Sequence, residues 1–216
     1  MIICGPSKSG KTTFLRNLLL NSRYEEQFMQ KPAYVLLYYT NHQILYDALH
    51  EIGVINEMID LSVPRNMEEF NKNNLVRKVS PYKDGNGSLV IFDDTLSDVN
   101  KEYEKIFGGL GNHYNTSLIF FTQNLYYNNN SYRNISLQME YFVIMANPRS
   151  RSQILYMARM MCPGNSKGIM EIYDSVVRDK PYSYLFFDFV SGSPKEILIR
   201  TNIFLREQPY TVYIES

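Results

Sequence analysis

The chain opens with Met1-Ile2-Ile3-Cys4-Gly5-Pro6-Ser7-Lys8-Ser9-Gly10-Lys11-Thr12-Thr13, and this stretch decides the fold. The first four residues are apolar, which suits a buried parallel strand and is too short for a helix. Beyond Thr13, apolar residues recur at helical spacing, at Phe14, Leu15, Leu18 and Leu19. A strand, a loop with two glycines ending in Lys-Thr, and a helix form the context that confirms a phosphate-binding loop. The sequence therefore predicts a P-loop nucleoside triphosphatase.

The chemistry of this loop explains its spacing. Its two glycines let the backbone wrap a phosphate so that successive N–H groups point at the anion. We expect Lys11 to reach the β and γ phosphates and Thr12 to place its hydroxyl on Mg²⁺. The whole segment from Gly5 to Thr13 is predicted to contact the nucleotide.

Length and composition indicate the number of domains, the kinds of partner and the compartment of the protein. The chain has 216 residues, 44% of them hydrophobic, which fits one α/β domain spanning residues 1–216. The formal net charge is zero, which argues against a strongly basic nucleic-acid coat protein. No apolar run has the length of a membrane span, so no membrane partner is expected. Cys4 and Cys162 lie far apart without metal-ligand spacing, which predicts reduced thiols and an intracellular protein.

Strand and helix patterns alternate along the chain. Strands are predicted at 1–4, 33–39, 88–92, 117–122 and 141–146, and helices at 12–21, 43–51, 66–79, 98–110 and 149–161. Residues 83–87 and the Asn-rich stretch 124–134 are predicted loops. Strands at 184–190 and 197–204 flank a turn signal and predict a hairpin. The expected fold is a three-layer α/β P-loop NTPase with a mostly parallel central sheet and a C-terminal β-hairpin.

Two acidic residues end the third predicted strand. A nucleotide-bound Mg²⁺ needs a carboxylate at the end of a hydrophobic strand, and Asp93 supplies it. In the additional-strand class of P-loop ATPases, the next position holds the general base that polarises the attacking water. Asp94 fits that role with a shorter arm than the usual glutamate, and the alternative is that it caps the following turn.

The fourth predicted strand ends at Gln123. If this strand lies between the first and third, an amide there can touch both the γ phosphate and the attacking water. Gln123 is therefore the candidate sensor, and a plain polar residue closing the strand is the alternative. The second strand falls between the phosphate loop and Asp93 in sequence, as the additional-strand class requires.

Arginines from a neighbouring subunit often complete such sites by neutralising charge on the transferring phosphoryl group. Arg133 lies just beyond the fourth strand, and Arg149 and Arg151 open the helix after the fifth. Arg133 and then Arg149 are the candidates, although a surface arginine taken alone is more often a solvated charge or a phosphate contact.

The nucleotide is predicted to be ATP with Mg²⁺. Guanine recognition normally uses Asn-Lys-x-Asp after a later strand. The nearest segment here, Asn147-Pro148-Arg149-Ser150, lacks both the lysine and the aspartate.

Several segments together resemble one family. They are the phosphate loop, Ile91-Phe92-Asp93-Asp94, Phe120-Phe121-Thr122-Gln123-Asn124-Leu125, Arg133-Asn134-Ile135-Ser136, Asn147-Pro148-Arg149 and Ile199-Arg200-Thr201-Asn202-Ile203-Phe204. In this order they resemble the FtsK/HerA-like genome-packaging ATPases of Polinton/Maverick elements, adintoviruses and virophages, and more distantly the poxvirus packaging ATPase. The resemblance covers nearly the whole chain.

That resemblance implies a homo-oligomeric ring that uses ATP hydrolysis to drive double-stranded DNA into a preformed viral capsid, with the capsid or its portal vertex as partner. DNA contact would come from loops facing the pore and would grip phosphates without reading bases. The candidates are Lys101 and Lys105, or the stretch 124–134 with Tyr126, Tyr127 and Tyr132.

Two other functions stay open from the sequence. One is a P-loop nucleotide or nucleoside kinase, although no arginine-rich lid segment is visible and Gln123 suits water activation better. The other is an assembly or morphogenesis switch that binds ATP without translocating DNA.

Overall fold

The computed structural model describes residues 1–24, 31–95, 101–125, 130–145, 151–161, 164–179, 181–194, 198–204 and 211–213. Its strands are β1 (Ile2–Cys4), β2 (Tyr34–Tyr39), β3 (Glu57–Asp60), β4 (Ser88–Asp93), β5 (Thr116–Thr122), β6 (Tyr141–Met145), β7 (Tyr184–Asp188), β8 (Ile199–Thr201) and β9 (Thr211–Tyr213). Its α-helices are α1 (Lys11–Tyr24), α2 (Ile44–Glu51), α3 (Pro64–Glu69), α4 (Lys72–Val79), α5 (Lys101–Tyr114), α6 (Asn130–Leu137), α7 (Arg151–Met161) and α8 (Ser166–Asp179). The α/β class, the mostly parallel strands and the C-terminal antiparallel hairpin are confirmed.

The chain divides into two compact units. The first comprises Met1–Lys11, Thr122–Tyr126 and Met139–Ser216, and the second comprises Thr12–Phe121 and Tyr127–Gln138. In the second unit the strands run β3-β2-β4-β5, and every pairing is parallel. β4 is buried along its whole length, as expected for a parallel strand covered on both faces.

In the first unit, β1 pairs in parallel with β6, and β6, β7, β8 and β9 then pair antiparallel in that order. The predicted hairpin corresponds to β7 and β8, and β9 adds a strand that was not predicted. A buried ion pair fixes the hairpin, because Arg200 on β8 donates to the Asp188 carboxylate at 2.6 Å. The same guanidinium lies 4.7 Å from the ring centroid of Phe186, a cation–π contact.

An aromatic ladder crosses the parallel strands of the second unit. Tyr38, Phe92 and Phe120 are register partners on β2, β4 and β5. Their rings stack with centroids 5.3 and 4.8 Å apart. Phe107 of α5 packs on the same face of the sheet, 5.8 Å from the ring of Phe92. Because side chains alternate along a strand, the next residue, Asp93, projects from the opposite face.

Several predicted elements need correction. The stretch 124–134 is not all loop, because α6 begins at Asn130 and buries Ser131, Tyr132 and Ile135. The predicted helix 66–79 is two helices, α3 and α4, with Asn71 capping the second through a bond from the Asn74 N–H. α5 continues past Gly111 to Tyr114. β3 and α8 were not predicted.

No helix among the described residues is long and apolar enough to cross a membrane. Cys4 is a free, buried thiol in β1, and burial raises its pKa to about 12. A thiol in that state is unreactive at neutral pH and acts as a core residue. Cys162 lies outside the described residues.

Candidate active site

The phosphate loop connects β1 to α1, as the sequence predicts. Its backbone takes the left-handed conformation at Lys8 (φ 63°) and at Gly10 (φ 99°). A Cβ added at Gly5 would lie 2.6 Å from the Ser9 hydroxyl and 2.7 Å from the Met145 Cβ, so only glycine fits there. Both glycines of the motif are therefore required by the geometry of the loop.

The side chain of Lys11 folds back over this loop. Its ammonium donates hydrogen bonds to the carbonyls of Gly5 (2.6 Å) and Pro6 (3.0 Å). The Ser9 hydroxyl is buried and has no hydrogen-bond partner among the described residues. A cation held at the mouth of a loop that also contains an unpaired buried hydroxyl suits an anionic ligand.

The two predicted metal ligands are joined by a third residue. The Thr12 hydroxyl donates to the side-chain carbonyl of Gln43 at 2.7 Å. The amide nitrogen of Gln43 donates to the Asp93 carboxylate at 3.1 Å. Gln43 is the residue immediately before α2, so the start of this helix positions both groups. The structure therefore brings Thr12 and Asp93 into one hydrogen-bonded network.

Tyr46, the third residue of α2, completes this network. Its hydroxyl donates to the same Asp93 oxygen at 2.5 Å, and Tyr46 is fully buried. Burial, followed by the charge of Asp93, raises the pKa of Tyr46 far above its ordinary value. The phenol therefore stays protonated and remains a donor to the carboxylate at any physiological pH.

Asp94 differs from Asp93 in its backbone conformation and in its hydrogen-bond partners. Its backbone is in the left-handed region, with φ 54°. Its carboxylate accepts a hydrogen bond from the Asn41 side chain at 3.0 Å, and its carbonyl accepts one from the Thr40 hydroxyl at 3.1 Å. Two residues following β2 thus hold Asp94, whose side chain is half-buried whereas Asp93 is only 4% exposed.

The segment that contains Gln123 is far from the phosphate loop in sequence but is hydrogen-bonded to it. The Gly5 N–H donates to the carbonyl of Thr122, the last residue of β5, at 3.0 Å. Gln123 is exposed, and the residues after it are anchored by Gln153 of α7, which bonds both Asn124 (2.6 Å) and the Leu125 N–H (3.1 Å). Thr122, which ends β5, and Gly5, which follows β1, therefore lie side by side within the first unit.

The remaining predicted residues are placed less completely. Arg133 is exposed on α6, and its side chain makes no ion pair with any residue that the structure describes. Three of the predicted residues lie outside the described part of the chain: Arg149, Tyr126 and Tyr127. The side chain of Lys101 lies outside it too. Lys105 is exposed on α5. Tyr132 is 3% exposed, so its predicted contact with DNA is wrong.

The residues present fit a nucleoside triphosphate with Mg²⁺. The backbone of the loop from Gly5 to Gly10 and the Lys11 ammonium would hold the phosphates. The Thr12 hydroxyl and the Asp93 carboxylate are hard oxygen donors of the kind that Mg²⁺ takes, with phosphate and water completing its shell. Bound there, the metal would neutralise charge on the phosphates.

Three residues that bond Asp93 or Asp94 were not predicted from the sequence: Asn41, Gln43 and Tyr46. A signal for two of them was present, because the polar run Thr40-Asn41-His42-Gln43 directly follows a hydrophobic strand. The carboxyl ends of neighbouring parallel strands meet at one edge of the sheet, which is where ligands bind in open α/β folds. β2 obeys the same rule as β4 and β5, because Thr40 and Asn41 at its carboxyl end contact Asp94 at the end of β4.

Comparison with known proteins gives one family. The model of the Poxvirus A32 protein family matches residues 1–205. Among individual curated proteins, no match was found. The match covers the phosphate loop, the Thr12–Gln43–Asp93 network and both units up to β8. The chain belongs to the Poxvirus A32 protein family, a family of viral packaging ATPases.

Proposed function

We propose that this protein is an ATP-hydrolysing motor that translocates double-stranded DNA into a viral capsid. The observation that supports the proposal is that two adjacent carboxylates differ in burial and in hydrogen-bond partners. Asp93 is buried and hydrogen-bonded to Gln43 and Tyr46, whereas the Asp94 carboxylate accepts a hydrogen bond from Asn41. One carboxylate for the metal and one for a water is the arrangement that hydrolysis needs.

In this proposal, Asp94 is the general base. It would take a proton from the attacking water, with Gln123 orienting that water from the carboxyl end of β5. Lys11 would leave the carbonyls of Gly5 and Pro6 to bind the β and γ phosphates. The nucleotide would be held by the whole phosphate loop: Gly5, Pro6, Ser7, Lys8, Ser9, Gly10, Lys11, Thr12 and Thr13. Thr12 and Asp93 would bind Mg²⁺.

The catalytic arginine is proposed to come from a neighbouring copy in a ring. Arg133 supports this assignment, because it is exposed and unpaired among the described residues. Its helix is held in place through the next residue, since the Asn134 amide donates to Glu104 of α5 at 2.8 Å. Arg149 is the second candidate.

The DNA contact is proposed to be electrostatic and independent of base sequence. Lys105 supports it through its exposure on α5, and Lys101 begins the same helix. A zero net charge means that such contact must come from a local group of lysines and not from the whole surface. The site of action would be the place of virion assembly in the infected cell.

The test is ATP hydrolysis by purified protein with and without double-stranded DNA, together with its mass in solution. We expect DNA to increase turnover and the protein to form a closed oligomer when nucleotide is present. Lys11→Ala is the matched control and should abolish turnover in both conditions. A monomer whose hydrolysis is indifferent to DNA would contradict the motor and favour an assembly switch. Phosphorylation of an added nucleoside or nucleotide would instead favour a kinase.

A further inference from the structure

Tyr182 is an exposed aromatic residue beside the phosphate loop. It lies in the short connection between α8 and β7, and its side chain is 66% exposed. Both this connection and the loop from Gly5 to Lys11 belong to the first unit. The hydrolytic roles assigned above make no use of this ring.

The contact with the phosphate loop is close. A Cβ built on Gly10 would lie 3.2 Å from the Tyr182 Cβ and 3.3 Å from its Cδ1. The near edge of the ring therefore packs against the backbone of Gly10, and the rest of the ring extends into solvent. Any side chain at Gly10 would push Tyr182 away.

This position is fixed by the sheet. Tyr184 at the start of β7 is the register partner of Met145 on β6. A Cβ on Gly5 would lie 2.7 Å from the Met145 Cβ, and one on Gly10 would lie 3.2 Å from the Met145 Cε. Because Ser183 and Tyr184 are buried, the chain at the start of β7 has little freedom. Tyr182, which comes directly before them, is therefore held beside Gly10.

The backbone at Tyr182 is unfavourable for its residue type. Its φ is 63°, in the left-handed region that glycine and asparagine adopt most readily. Non-glycine residues in this region are held there by their surroundings and cluster at active sites and ligand clamps. A large aromatic ring that is both strained and exposed contributes little to the core, so its place beside the loop calls for a ligand.

We propose that Tyr182 is the stacking platform for the purine base of the nucleotide whose phosphates are bound by residues 5–12. This inference rests on the proposed nucleotide site and names the residue that would recognise its non-phosphate part. An exposed ring face offers a base the kind of sequence-tolerant stacking that aromatic residues provide in nucleic-acid binding. Stacking does not depend on the hydroxyl, so phenylalanine should serve as well as tyrosine.

The experiment measures equilibrium binding and does not depend on turnover. The Mg²⁺ complexes of a non-hydrolysable ATP analogue and of inorganic tripolyphosphate are titrated calorimetrically into wild-type protein, Tyr182→Asn and Tyr182→Phe. Asparagine tolerates the left-handed backbone, so Tyr182→Asn removes the ring without adding strain. Tyr156→Asn, at an exposed tyrosine of α7, is the control for loss of a surface ring.

We expect Tyr182→Asn to bind the ATP analogue roughly ten- to a hundredfold more weakly than wild type, the range given by stacking on one aromatic ring. Its affinity for tripolyphosphate should be unchanged, and Tyr182→Phe should bind both ligands like wild type. Equal weakening of both ligands, or no weakening of either, would overturn the inference alone. A wild-type protein that binds neither ligand would overturn the nucleotide site as well.

Discussion

The side-chain N–H of Gln43 donates a hydrogen bond to the carboxylate of Asp93 at 3.1 Å, and its side-chain carbonyl accepts one from the Thr12 hydroxyl. Through these two bonds, one side chain joins the Thr12 hydroxyl to the Asp93 carboxylate. Gln43 therefore orients both proposed metal ligands without being one itself. Residues in that position are known to matter nearly as much as the ligands.

Replacing Gln43 by alanine should weaken the binding of Mg²⁺. The loss of an orienting partner typically costs ten- to a hundredfold in metal affinity or activity, and we expect an effect of that order here. The measurement is the Mg²⁺ concentration that gives half-maximal hydrolysis at saturating ATP. Ile44→Ala changes the adjacent residue, which is 84% exposed, and should leave that concentration unchanged. A Gln43→Ala protein with wild-type Mg²⁺ dependence would contradict the orienting role.

Replacing Tyr46 by phenylalanine should destabilise the fold in a pH-dependent way. The variant leaves the buried Asp93 carboxylate without one charge-assisted hydrogen bond, which costs about 1.5–3 kcal/mol near pH 8. Because the pKa of Tyr46 is raised in the native state, the stability it contributes is present below its ordinary pKa of 10.0 and is lost as the pH rises above it. Above that pH the unfolded phenol ionises and the native phenol does not.

Urea unfolding of both proteins at pH 8 and at pH 10.5 checks this. The difference in unfolding free energy between wild type and Tyr46→Phe should narrow at the higher pH. Tyr156→Phe, at an exposed position, should match wild type at both. A difference that stays constant or widens would show that the Tyr46 hydroxyl is not a protonated donor to Asp93.

Much of this site could be predicted from sequence because local patterns encode it. The phosphate loop has a fixed spacing, and Asp93 ends a continuous apolar strand, so the positions of both in the fold could be predicted. Gln43 lies in a polar run after β2 that has no fixed spacing, and Tyr46 has no sequence signal of its own. Their importance depends on β2 lying beside β4, a pairing between residues some 54 positions apart that only the folded chain shows, as in the register partners Tyr39 and Asp93.

The fold elements that sequence missed have a similar cause. β3 is a four-residue strand at the end of the β3-β2-β4-β5 array, and it carries little apolar signal. Long-range polar contacts hold it, because Glu57 accepts hydrogen bonds from Tyr34 on β2 and from Lys78 on α4. The asparagine and serine that begin α6 predict a loop, but burial of Tyr132 and Ile135 outweighs their weak helix propensity.

Replacing Asp94 by asparagine should separate binding from catalysis. Asparagine tolerates the left-handed φ of 54° and can still accept the hydrogen bond from Asn41, so the backbone and the contact survive while the base is lost. We expect turnover to fall by about 10²–10⁴-fold with the affinity for Mg²⁺-ATP retained. Single-turnover hydrolysis and equilibrium binding measure the two effects. Asn41→Ala should have the smaller effect, and turnover by Asp94→Asn near the wild-type rate would exclude Asp94 as the base.

Mixing two inactive variants should test whether Arg133 acts on a neighbouring subunit. Arg133→Ala alone should lose roughly 10³-fold in turnover, the lower range for an arginine supplied in trans. Mixed in equal amounts with Asp94→Asn, it should regain activity, because about a quarter of head-to-tail interfaces would then join an intact Asp94 to an intact Arg133. Arg65→Ala, at an exposed arginine paired with Glu69, is the control and should be active alone. Activity that does not recover on mixing, or that recovers only with Arg149→Ala in place of Arg133→Ala, would assign the role elsewhere.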